Sequence, residues 1–136
     1  MNHLGKFQPQ LIRQDEAADI SGVPSQAIDQ LVALNLITPA GDGTSDGKLF
    51  SLDQTPLLEI LAAMNALNFR LEEMRDMVQV AEILGTHPGS ELAARHRVRL
   101  GAFMGAMRRR PVSTDEQIAA RKALIQALSH RYAWLT

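Results

Sequence analysis

Apolar residues recur along this chain mainly at helical spacing, and the gaps between the runs predict where helices stop. Ala27, Ile28, Leu31, Val32 and Leu34 form one stripe. It starts just after Pro24, whose missing N–H suits a first helical turn, and ends at "NLITP", where Asn35 can cap and Pro39 cannot continue. A shorter helix is predicted before it, Asp15 to Ile20, with Asp15 and Glu16 at its positive end and Ser21-Gly22 as its break. A third helix opens near Asp53 to Pro56 and runs through "LLEILAAMNAL" to a break at Asn68-Phe69. "RLEEMRDMVQVAEIL" is the fourth, and "GTHPG", residues 85–89, marks a boundary. Ser90 is a suitable N-cap for a fifth helix, "ELAARHRVRLGAFMGAMRRR", stopped by Pro111. Ser113 or Thr114 caps a sixth, with Ile118, Ile125, Leu128, Tyr132 and Leu135 on its apolar line. The short β-prone "KLFSL" beside Asp46-Gly47, at the end of the turn-rich "AGDGTSDGK", suggests a small hairpin. Residues 1–10 read as an irregular lead.

These elements predict a mainly α chain with one small β-hairpin and a C-terminal pair of helices. Residues 1–84 form an expected first domain and residues 90–136 an expected helical region. At 46% hydrophobic and 21% charged residues the sequence can bury a core. Aromatic residues make up 4%, so the core must be aliphatic, with methionines as fillers. No cysteine is present, which removes disulfides, thiolate metal sites and thiol redox chemistry. No run reaches the roughly 18 apolar residues of a membrane span, and no signal peptide is read at the N-terminus. A cytoplasmic location is the expectation.

Charge changes the picture more than composition does. Residues 1–90 hold five Lys and Arg against twelve Asp and Glu, whereas residues 91–136 hold nine against three. Such a split speaks to partners rather than to fold.

The first two helices fit a helix-turn-helix in a single register. Ala18 is small where the helices must touch, Gly22 takes the turn, and Ile28 and Leu31 pin the second helix. With "LIRQDEAADISGVPSQAIDQLVALNLITP", "GKLFSLDQ" and "LLEILAAMNALNFRLEEMRDMV" in place, residues 11–78 resemble the DNA-binding domain of MerR-type transcription regulators. The most specific part is "ALNFRLEEMRDM", which follows the family's helix end, Gly-Phe, then Leu-Glu-Glu-Ile, with Asn68 in place of that Gly. The resemblance covers about half the chain. It implies a winged helix-turn-helix, double-stranded DNA as partner, and a bacterial homodimeric regulator whose long helix after the winged domain pairs antiparallel with its copy.

The departures fall where the family grips DNA. Its Thr-Leu-Arg-x-Tyr corresponds here to Ala27, Ile28, Asp29, Gln30 and Leu31, so an anion replaces the Arg. Its wing Tyr-Arg-x-Tyr corresponds to Gly47, Lys48, Leu49 and Phe50, which keeps a cation. Ser25, Gln26 and Gln30 are the expected base contacts, since Gln can bond bidentately to adenine. Arg13 and Lys48 are the expected phosphate contacts. Further phosphate or partner contacts are open to Arg95, Arg99 and the run Arg108, Arg109 and Arg110. Leu92, Leu100, Phe103 and Met107 form the expected dimer seam on the fifth helix, with His96 on the same line.

The four histidines are scattered without an i, i+4 pair, so no metal site is read, and no phosphate loop or nucleophile motif points to an enzyme or a cofactor. Gly101 and Gly105 read as close helix packing. The alternative to a DNA regulator is a protein-interaction module on the same frame, docking through its acidic head or basic C-terminal helices.

Overall fold

A computed structural model describes residues 10–43 and 47–135. It contains β1 (Leu11–Arg13), α1 (Gln14–Ser21), α2 (Ser25–Ala33), β2 (Gly41–Gly43), β3 (Gly47–Ser51), α3 (Thr55–Ala66), α4 (Leu71–Thr86), α5 (Glu91–Arg109) and α6 (Asp115–Arg131). Short 3-10 turns lie at Leu52–Gln54 and Ala133–Leu135. The chain is thus mainly helical with one small antiparallel sheet. The expected lead over residues 1–9 and the turn residue Asp46 lie outside the described residues.

Two compact units divide at Leu58 and Glu59, inside α3, and not at the Gly85–Gly89 boundary expected from the sequence. That turn separates two helices that belong to one unit: Arg99 on α5 pairs with Asp76 on α4, and Arg97 Nη1 donates to the Pro88 carbonyl at 2.9 Å. Gly85 and Thr86 also continue α4 rather than break it.

The first unit is built on a three-stranded sheet in the order β1-β3-β2. The expected hairpin is β2 and β3, and the third strand is an addition. Leu11, Ile12 and Arg13 pair with Ser51, Phe50 and Leu49. Burial explains this strand. Ile12 and Phe50 are opposite one another and both are buried, so three residues suffice to cover one sheet face. Gly22 joins α1 to α2 in the left-handed conformation at φ 74°, with its N–H on the Ala18 carbonyl. Ile28 and Leu31 are buried on α2, while Val32 is half-buried and Leu34 exposed. The α2 end is a Schellman turn. Asn35 stands at φ 62°, the Leu36 N–H reaches the Leu31 carbonyl at 3.0 Å, and the Asn35 N–H reaches Val32 at 3.0 Å. Leu36 and Ile37 are buried just after it.

A capping box opens the next helix. The Gln54 side chain accepts from the Ser51 N–H at 2.8 Å, and Ser51 Oγ accepts from the Asp53 N–H at 3.2 Å. Gln54 also donates to the Thr38 carbonyl at 2.7 Å, tying this entry to the segment that leaves α2.

The second unit is helical. Asn68 at φ 65° ends α3 as Asn35 ends α2, with the Phe69 N–H on the Met64 carbonyl at 3.1 Å and the Asn68 N–H on Asn65 at 3.0 Å. Met64, Met74, Met77, Met104 and Met107 are buried, the filling role expected of them. Ser90 caps α5 by accepting from the Ala93 N–H, and Thr114 caps α6 by accepting from the Gln117 N–H. On α5 the buried face is Ala93, His96, Leu100, Met104 and Met107. Leu92, expected on that seam, is exposed, and Phe103 is half-buried against Phe69 with ring centroids 5.6 Å apart. Packing within the chain thus keeps Leu100 and Met107 on the inner face of α5 and adds Ala93 and Met104 in place of Leu92. On α6 the core contacts are Ala120, Leu124, Ala127 and Leu128, leaving Ile118 exposed. Gly101 faces outward with nothing near its missing Cβ, so it makes no close helix contact within the chain. Among the described residues no helix is long and apolar enough to cross a membrane.

Candidate nucleic-acid interface

The candidate residues of the first unit sit on three elements. Arg13 ends β1, Ser25, Gln26 and Gln30 lie on α2, and Lys48 lies on β3. On α2 the buried side is Ile28 and Leu31, so helical spacing turns Gln26, Asp29, Gln30 and Ala33 outward together, at i, i+3, i+4 and i+7. All four are exposed. Gln26 and Gln30 hydrogen-bond through their side chains to no other residue among the described residues. Their carboxamides keep both donor and acceptor available.

Ser25 and Asp29 are held. Gln14, the first residue of α1, places its amide nitrogen 2.8 Å from Asp29 Oδ1, 2.9 Å from Ser25 Oγ and 3.0 Å from the Ser25 carbonyl. Asp29 Oδ1 and the Ser25 carbonyl can only accept, so the nitrogen of the amide faces them. Gln14 thereby ties the start of α1 to the first turn of α2. No sequence period reveals this residue: its partners lie 11 and 15 positions away, and only the turn at Gly22 brings them together.

Arg13 is less available than its sequence position suggests. Its guanidinium lies 3.4 Å from Asp15 and 3.9 Å from Glu16, while its backbone N–H donates to Glu16 Oε1 at 3.0 Å. Both pairs are exposed, so they compete with a phosphate only weakly. Lys48 is exposed and stands opposite Asp42 in the β2–β3 register. Phe50, two residues on, is wholly buried, so its aromatic ring serves packing.

The arginines of the second unit divide by role. Arg99 bonds Asp76 across to α4 and also approaches His96 Nδ1 at 3.3 Å. His96 is buried on the α5 core face. Arg110 donates to the Leu67 carbonyl at 3.2 Å and stacks 4.3 Å over the Phe69 ring, a structural clasp. Arg95 pairs with Glu91 at 3.6 Å on the surface. Arg108 and Arg109 are exposed at the last turn of α5, where they also favour the negative end of its dipole. Of the expected seam, Leu100 and Met107 are consumed inside the chain. The outward face of α5 instead carries Val98, 74% exposed, among Ala94, Gly101 and Ala102.

Glu59, on α3, titrates above its ordinary range. Burial pushes its carboxyl upward, and the nearby His130 works against that shift. Among the described residues no three His or carboxylate side chains converge as a metal site would require. Comparison of the chain with known protein families, with curated proteins and with solved structures returns no match.

Proposed function

We propose that the chain is a DNA-binding transcription regulator of MerR-like type, a winged helix-turn-helix acting as a homodimer. The observation that carries this reading is the exposed face of α2, where Gln26 and Gln30 stand one turn apart, their carboxamides without a partner among the described residues. A helix held at its base by buried Ile28 and Leu31, with such side chains outward, suits insertion into a major groove. On this reading β2 and β3 form the wing and Lys48 is its phosphate contact. The copies pair through the outward face of α5, since Leu100 and Met107 are already used within the chain. An antiparallel pairing brings Glu91 of one copy toward Arg109 of the other.

The test is selection of duplexes from a randomised pool by the full-length protein at moderate salt. A recurrent motif whose binding weakens in Gln30→Ala supports the reading. Recovery of no motif from the pool sinks it.

One observation favours a second reading, a protein-interaction module on the same frame. Two carboxylates, Asp15 and Glu16, flank the single Arg13 guanidinium, so the net charge at that corner of the first unit is negative even when the pairs open. This reading expects no duplex to be selected and expects Asp29→Arg to create DNA affinity. It also expects Arg108→Ala to weaken capture of an acidic partner.

A further inference from the structure

We infer that Asp29 is a base-reading residue whose free carboxylate oxygen accepts a hydrogen bond from the exocyclic amine of a cytosine in the major groove. The inference rests on the DNA-binding reading above and assigns a specificity to the residue whose charge is least suited to a DNA-facing helix.

A carboxylate on a DNA-facing helix has two possible fates. Free to change rotamer, it repels phosphates and contributes nothing directional. Held in place, it becomes an acceptor of fixed position. The Gln14 amide lies 2.8 Å from Asp29 Oδ1 and anchors that oxygen to the start of α1, while the same amide holds Ser25 at the first turn of α2. The second oxygen has no partner among the described residues. The clamp is a neutral amide and brings no counter-charge to the carboxylate. Arg13, adjacent to Gln14 in sequence, directs its guanidinium to Asp15 and Glu16 instead.

Placement decides what this acceptor meets. Asp29 shares the outward face of α2 with Gln26, Gln30 and the small Ala33. A residue at the middle of that face points at base edges when the helix lies in the groove, whereas phosphates line the sides. Four bases offer different edges there. Guanine presents acceptors, and thymine an acceptor with its methyl group, all unfavourable to a carboxylate. Adenine pairs its amine with an acceptor nitrogen, which suits the carboxamides of Gln26 and Gln30 better than a carboxylate. Cytosine presents an amine donor, the one edge that an anionic acceptor fits. Gln14 is then a positioning residue for the contact.

Duplexes selected from a randomised pool by the full-length wild-type protein, Asp29→Asn, Asp29→Ala and Gln14→Ala, sequenced in parallel, test this. The wild type is expected to enrich a motif containing a cytosine that it prefers by about tenfold. Asp29→Ala loses the preference at that position and keeps the rest of the motif. Asp29→Asn, nearly isosteric and so a guard against misfolding, moves the preference toward adenine. Gln14→Ala blunts the cytosine preference with unchanged helical circular dichroism. If the wild type selects a motif, but Asp29→Ala leaves every base preference intact and binds all duplexes more tightly, Asp29 is only a repulsive charge and the assignment is overturned. If the wild type selects no duplex at all, the DNA-binding reading fails, and this assignment with it.

Discussion

At the scale of single residues, two asparagines set the chain's direction more than any charged group does. Asn35 and Asn68 both occupy the left-handed region, at φ 62° and φ 65°, and both end a helix with a Schellman turn. An ordinary side chain in that conformation costs about 1–2 kcal/mol, and glycine avoids the penalty. Asn68→Ala should therefore destabilise the fold by roughly 1 kcal/mol in urea unfolding, while Asn68→Gly should leave it unchanged or slightly more stable. Equal loss in both variants would locate the role of Asn68 in its side chain rather than its backbone. Glu59 offers a residue-scale test in pH. Its folded carboxyl titrates above the ordinary range because of burial, so the fold prefers it protonated. That preference is fully present below the usual carboxylate range and is lost as pH rises through the raised value. Glu59→Gln should melt above the wild type at neutral pH, and the gap should close on acidification. A gap independent of pH would assign the effect to something other than ionisation.

At the scale of elements, the long basic helix α5 is tied down by the very residues that looked like free positive charge. Arg110 reaches back to the Leu67 carbonyl and covers the Phe69 ring, which in turn tilts against Phe103 on α5. Arg121 on α6 donates to the Arg110 carbonyl at 2.7 Å, so one residue links the α3–α4 turn, the α5 end and α6. Arg110→Ala should lower stability by about 1–2 kcal/mol, from the lost stacking and the unpaired carbonyl. Arg110→Lys should recover only part, since an ammonium cannot stack as a planar guanidinium does. Arg108→Ala, two residues away and exposed, should leave the unfolding midpoint within about 0.5 kcal/mol. A run of three arginines thus splits into one structural and two surface residues. Spacing along the helix separates their directions by about 100° each, but nothing in that spacing says which direction meets an aromatic ring.

At the scale of the whole molecule, the proposed DNA contact and the proposed pairing give two measurable consequences. Phosphate neutralisation makes binding fall with salt in proportion to the number of cations engaged. With Lys48 exposed and Arg13 partly satisfied by its own helix, the log–log salt slope should be shallow, and Lys48→Ala should reduce it by about one. An undiminished slope in that variant would exclude Lys48 from the contact. Self-association should run through the outer face of α5. Val98→Asp should then shift a dimer toward monomer in sedimentation without altering circular dichroism, whereas Leu100→Asp should unfold the protein because Leu100 is buried.

The helices were legible in the order of residues because their signals are local. Pro24, Ser90 and Thr114 open helices through groups within three or four positions, and Asn35 and Asn68 close them in the same way. The outward face of α2 was legible too, since Ile28 and Leu31 fix which side turns inward. Other features depend on partners far along the chain. The strand Leu11–Arg13 exists because Ile12 meets Phe50, which no local pattern foretells. The α5 core face settled on Ala93 and Met104 rather than Leu92, because packing against neighbouring helices chose the rotation. The sequence places Asp29 on the exposed face of α2, but only the fold sets the Gln14 amide against it. Periodicity and capping chemistry determine where this chain coils and stops. Tertiary contact alone decides which of its polar groups are spent on each other and which remain to meet something else.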